Sequence, residues 1–123
     1  MQKEVTVLES GPFQFKILAE WDAESANFFI KMLFEHAEDG KISFELKTRK
    51  GSLITEFIIT VFEGVLSAIL YDVIKIIYKL LKGKKENNKE VKPVYIFTEK
   101  EQFVITGDKN SKIPDELKRE LFD

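Results

Sequence analysis

Apolar and polar positions alternate with the period of a half-buried sheet at two places near the start of the chain. Residues 4–8 and 13–19 read as strands. In the second, Phe13, Phe15, Ile17 and Ala19 interleave with Gln14, Lys16, Leu18 and Glu20. Ser10-Gly11-Pro12 between them is turn chemistry and predicts a hairpin. The period then changes. Asp22 is a good N-cap, and Ala26, Phe29, Ile30, Leu33 and Ala37 recur at helical spacing, with Asn27, Lys31 and Glu38 on the opposite face. The helix is expected to run to about Glu38, with Gly40 as its left-handed stop. Lys41–Lys47 alternates again, Ile42, Phe44 and Leu46 inward and Ser43 and Glu45 outward, as a third strand.

The most apolar segment runs from Leu53 to Leu81, with 20 apolar residues among 29. Its β-branched residues make a strand over Leu53–Phe62 a competing reading. The polar positions Ser52, Glu56, Thr60, Glu63 and Ser67 recur every three or four residues, which favours a helix. Ser52 would cap its start, and Lys75, Lys79 and Lys82 before Gly83 suit the negative end of its dipole. One helix over about 52–82 is therefore expected, roughly 45 Å long in a domain about 36 Å across. Lys82–Lys92 follows as a basic loop. Val94–Thr98 and Gln102–Thr106 then form a hairpin around Glu99-Lys100-Glu101, and Pro114 opens a short last helix carrying Leu117 and Leu121 on one face.

The predicted fold is a single α+β domain over residues 1–123, a largely antiparallel sheet in the order β-β-α-β-α-β-β-α packed on one long apolar central helix. A chain of 123 residues suits one domain, and 44% apolar content suffices for its core. Zero Cys excludes thiolate nucleophiles and zinc–thiolate sites. A net charge of −2 argues against nucleic acid as a partner. The start has no apolar run of secretory type, so a cytoplasmic location is expected. Within the long segment Glu56, Glu63, Asp72 and Lys75 interrupt any span, each costing about 2.5–3.5 kcal/mol at mid-membrane. Contact of an amphipathic helix with a membrane surface survives that objection.

Residues that could carry chemistry are few. His36, the one histidine, falls at the edge of the first helix's apolar stripe, with no Ser or second His at a useful spacing. Glu56 and Glu63 would share one face of the long helix as a carboxylate pair, but without a third oxygen ligand. Phosphate-binding glycine patterns and hydrolase motifs are absent. No enzymatic activity, metal or cofactor is expected. The charge distribution says more. Residues 20–40 carry six acids against Lys31, whereas Lys82, Lys84, Lys85, Lys89 and Lys92 face only Glu86 and Glu90. Acidic face and basic loop could complement each other between protomers or dock a partner. Phe is frequent at 11 residues, and Phe28, Phe29 and Phe34 cover more of the first helix than one buried stripe needs. Candidate interaction residues are therefore Phe28, Phe34, Phe57, Phe62, Gly64, Ala68, Lys82, Lys84 and Lys85.

The first helix with Gly40-Lys41-Ile42-Ser43-Phe44-Glu45, the apolar segment Leu53–Leu81, and the hairpin Val94–Thr98 to Phe103–Gly107 make a layout over residues 20–121. It resembles the effector-associated constant components of bacterial conflict systems. The small-residue stretch of that family's long helix is reduced here to Gly64, Ser67 and Ala68. The resemblance implies a non-enzymatic adaptor or assembly role and transfers no catalytic residue. The expected function is an intracellular interaction or assembly module that binds itself or another protein. The alternatives are a peripheral membrane protein using the helix and the Lys-rich loop, or a small inhibitor binding one macromolecule.

Overall fold

The fold is described from a computed structural model, over residues 13–48, 54–62 and 66–122. Its elements are β1 (Phe13–Glu20), α1 (Ala23–Glu38), β2 (Ile42–Thr48), β3 (Ile54–Val61), α2 (Leu66–Glu86), β4 (Val94–Phe97), β5 (Gln102–Ile105) and α3 (Asp115–Phe122). The strands form one antiparallel sheet in the order β2-β3-β1-β4-β5. The α+β class and the antiparallel sheet agree with the sequence reading.

The single long helix does not form. Within that segment Ile54–Val61 is β3, a strand seated between β2 and β1, and the helix among its described residues is Leu66–Glu86. Along β3, Thr55, Phe57, Ile59 and Val61 are buried while Ile54, Glu56, Ile58 and Thr60 turn to the other face. The polar spacing misleads because four residues make both one helical turn and two pleats, so Glu56 and Thr60 share a face either way. With 21 residues, α2 is about 31 Å long and fits inside the domain. Among the described residues the element order is β-α-β-β-α-β-β-α. The strand expected at 4–8 lies outside the described residues. β1, its expected hairpin partner, is bordered by β3 on one side and, over Lys16–Leu18, by β4 on the other.

The helices pack on one face of the sheet. Phe15 and Ile17 of β1, Phe57 and Ile59 of β3, and Ile96 and Ile105 of β4 and β5 point into that layer. They meet Phe29 and Leu33 of α1, Val73, Ile74, Ile77 and Leu81 of α2, and Leu117 of α3. Burial at positions 69, 70, 73, 74, 77, 78 and 81 of α2 traces an apolar stripe. At one end of the core Trp21, Phe29 and Phe57 contact edge to face, with ring centroids 5.1 to 5.9 Å apart. α3 docks on α2 through the Tyr71 hydroxyl, which donates to Glu116 at 2.6 Å, and the Lys75–Glu120 ion pair at 2.7 Å.

The two outer strands differ. Beyond β5, the Val104 and Lys112 main chains exchange hydrogen bonds of 3.0 and 2.7 Å, so that edge is covered. No described residue pairs with the outer edge of β2.

Candidate functional site

The basic segment turns inward on its own chain. Lys84 lies 3.7 Å from Asp22 with its side chain mostly covered, and Lys85 donates to Asp108 at 2.8 Å. Lys92 reaches Glu20 at 3.2 Å and Glu90 at 3.6 Å. The acidic and basic regions that stand apart in sequence thus meet within one protomer, because β1 ends beside the C-terminal end of α2. Lys82 is exposed. Local chemistry favours the charged form of two of these acids, Asp22 and Asp108. Asp22 caps α1 by accepting from the Ser25 amide at 2.9 Å, and hydrogen bonding from the Ser25 side chain first and its amide second lowers the Asp22 pKa. Asp108 accepts from Lys85, from the Thr106 hydroxyl at 2.7 Å and from the Asn110 amide at 2.9 Å, which brings it down to about 2. Hydrogen bonding to Glu20 raises the pKa of Lys92.

Around these pairs is an open depression of about 390 Å³, lined by Glu20, Trp21, Asp22, Lys84, Lys89, Glu90 and Lys92. Its three lysines face three carboxylates, so it presents little net charge to an ion. The Trp21 indole N–H beside it is buried with no hydrogen-bond partner among the described residues. The lining contains no hydroxyl, thiol or imidazole that could act as a nucleophile or base. His36, half-buried in the last turn of α1, makes no hydrogen bond or ion pair among the described residues. Glu56 sits on a strand, 4.0 Å from Lys16, so the helical carboxylate pair does not exist; Glu63 lies outside the described residues. No group of acidic or imidazole side chains among the described residues could hold a metal ion. No helix is long and apolar enough to cross a membrane, again among the described residues.

The aromatic candidates separate into two sets. Phe57 is fully buried between Trp21 and Phe29, so it belongs to the core and offers no surface. Phe28 and Phe34 are half exposed on α1, at 50% and 55%. Their sequence separation places them about 120° apart around the helix, with Lys31 between them. Phe62 is 40% exposed after β3 and Ala68 is exposed on α2; Gly64 lies outside the described residues.

Phe34 packs edge to face on Phe44 of β2, with centroids 5.2 Å apart. Gly40, at φ +72°, reverses the chain between α1 and β2, so the helix runs back along the outer strand. Leu46, expected inward, is 44% exposed, since β2 is the outermost strand among the described residues. Phe34, Phe44 and Leu46 thus line the helix-side rim of a strand edge that no described residue pairs with. Leu46 was not recognisable from the sequence as a surface residue, whereas Phe44, read as inward, is partly buried and packs against the core. Alternation tells which face of a strand a side chain takes, but not whether that strand is central or at the edge. Lys41, Glu45 and Lys47, charges on a short strand, were the available signal.

Comparison with protein-family models, with curated proteins and with solved structures finds no match to this chain.

Proposed function

We propose that the chain is a non-enzymatic interaction module of the cell interior that works by self-association. The observation that carries this reading is the half-exposed apolar rim of Phe34 and Leu46 along the outer edge of β2, with Phe28 further along α1. A strand edge that no described residue pairs with offers backbone donors and acceptors to a partner, and an adjoining apolar rim adds area that burial would stabilise. The resemblance to effector-associated constant components extends the proposal to an assembly role in a conflict system. That extension leans on α1, β2 and the β4–β5 hairpin, since the continuous helix from Leu53 is replaced by β3 and α2.

The test is light scattering coupled to size exclusion, without detergent, over roughly a tenfold concentration range. The expected result is a defined oligomer whose population grows with concentration. A monodisperse monomer throughout would refute self-association.

A further inference from the structure

We propose that two copies join through β2, edge to edge and antiparallel, about a twofold axis at Leu46; this rests on the self-association proposed above and names its surface. The hydrogen-bond phase of the β2–β3 ladder fixes which groups are free. The Phe62 amide donates to the Lys41 carbonyl at 3.0 Å, and the register pairs Ser43 with Thr60, Glu45 with Ile58 and Lys47 with Glu56. In an antiparallel ladder every second pair exchanges hydrogen bonds. Residues 41, 43, 45 and 47 therefore bond inward to β3. Ile42, Phe44, Leu46 and Thr48 direct their N–H and C=O groups outward, to the free edge.

A second β2 meets those groups with its own Ile42, Phe44, Leu46 and Thr48. Charge and the length of the ladder together select among the symmetric registers. Centred on Glu45, the pairing sets Glu45 against Glu45. Centred on Phe44, it sets Lys41 against Lys47 twice, and centred on Lys47 it opposes two lysines. Centred on Ser43, Lys41 faces Glu45 twice, but only Ile42 and Phe44 form outward-bonding pairs, with roughly four backbone hydrogen bonds. Centred on Leu46, Glu45 of each copy faces Lys47 of the other, twice, on a longer ladder. In that register Phe44 and Thr48 form outward-bonding pairs on either side of Leu46, with roughly six backbone hydrogen bonds in all. The two Glu45–Lys47 pairs fall at the closer, non-hydrogen-bonded positions, where side chains approach best. Glu45 faces only Ile58 within its own sheet, so its cross-strand ionic partner would come from the other copy. On the helix side the same arrangement brings Leu46 against its own copy and sets the two α1 helices alongside, with Phe34 between them. The sheet then runs continuously through both copies, and its covered β5 edges form the ends.

Charge-reversal exchange tests the register. E45K and K47E are made singly and in combination, and L46P blocks the edge without using a charge. The Leu46 N–H points outward, so proline there removes no bond of the β2–β3 ladder. Far-UV circular dichroism confirms folding of each variant, and concentration-dependent light scattering reads dissociation. E45K and L46P are expected to weaken the dimer by about tenfold or more. An equimolar mixture of E45K with K47E, or the double variant E45K/K47E, should recover it. Should K47E not fold beside Glu56, E45K and L46P still decide the edge. A wild-type dimer that E45K or L46P leaves intact, or a mixture that does not recover, overturns this interface and leaves self-association standing. A wild-type monomer at every concentration overturns both.

Discussion

Gly107 shows how one residue can be fixed by two independent demands. Its φ is +83°, where an L side chain is strained, and a Cβ there would sit 3.1 Å from the Leu81 carbonyl carbon and Cβ and 3.2 Å from the Lys82 nitrogen. The backbone after β5 passes this close to α2 because only a hydrogen intervenes. Gly40 has a similar φ, +72°, but open space around it. Comparing the two separates strain from clash. G40A should cost about 1 kcal/mol, for the left-handed conformation alone. G107A should cost about 2–4 kcal/mol, because crowding against α2 adds to the same strain. Urea unfolding followed by fluorescence of Trp21, the only tryptophan, gives both values. Equal costs would mean that α2 yields at Leu81. Trp21 was not legible in the periodic pattern, which places neither its burial nor its indole N–H, unpartnered among the described residues.

Among the elements, α1, β2, the β4–β5 hairpin and α3 could be read from sequence because local signals agreed. Asp22 caps, Gly40 stops, and Pro114 precedes the last helix. β3 was not legible, because its outer face carries Ile54 and Ile58 as well as Glu56 and Thr60, so the binary pattern loses its contrast. What makes it a strand is tertiary, the two neighbours β1 and β2 that pair along its length. The turn after β5 is also tertiary in part. Asp108 ties it to α2 through Lys85, and buried Ser111 accepts from the Thr106 amide at 3.0 Å and donates to the Asp108 carbonyl at 2.9 Å. Because the Asp108 carboxyl falls from 3.8 to about 2 on folding, the folded state favours its ionised form. That contribution is complete above about pH 4 and disappears as pH falls through 4 to 2. D108N should accordingly be less stable than the wild type at neutral pH, with the difference shrinking across that window. Melting temperatures at neutral pH and near pH 2 check this, and a constant difference would place the role of Asp108 in geometry rather than charge.

At the scale of the whole molecule, the candidate surfaces were legible as residue types but not as places. Phe28 and Phe34 are surface aromatics as the excess of Phe on α1 suggested, whereas Phe57 of the same composition fills the core. The lysines of 82–92 were expected in one loop, but α2 runs on through Gly83 to Glu86 and carries Lys82, Lys84 and Lys85. Their partners Glu20, Asp22 and Asp108 are distant in sequence, so no local rule joins them. This folding together bears on the membrane-surface alternative. Counting those three partners with Glu86 and Glu90, the five lysines of the segment stand among five carboxylates. Anionic lipid attracts a basic cluster by roughly 1 kcal/mol per cation near the surface. Carboxylates within 4 Å of Lys84, Lys85 and Lys92 lie well inside the Debye length of about 8–10 Å, so the membrane would meet a nearly neutral patch. The wild-type chain is therefore expected to stay in the supernatant when sedimented with anionic vesicles at about 0.1 M salt. Neutralising the partners should expose the cations: E20Q/D22N/D108N, with asparagine still able to cap α1, should pellet with anionic vesicles and not with neutral ones. If the wild type pellets as strongly as this variant, the internal pairs do not mask the lysines, and the membrane-surface reading displaces self-association.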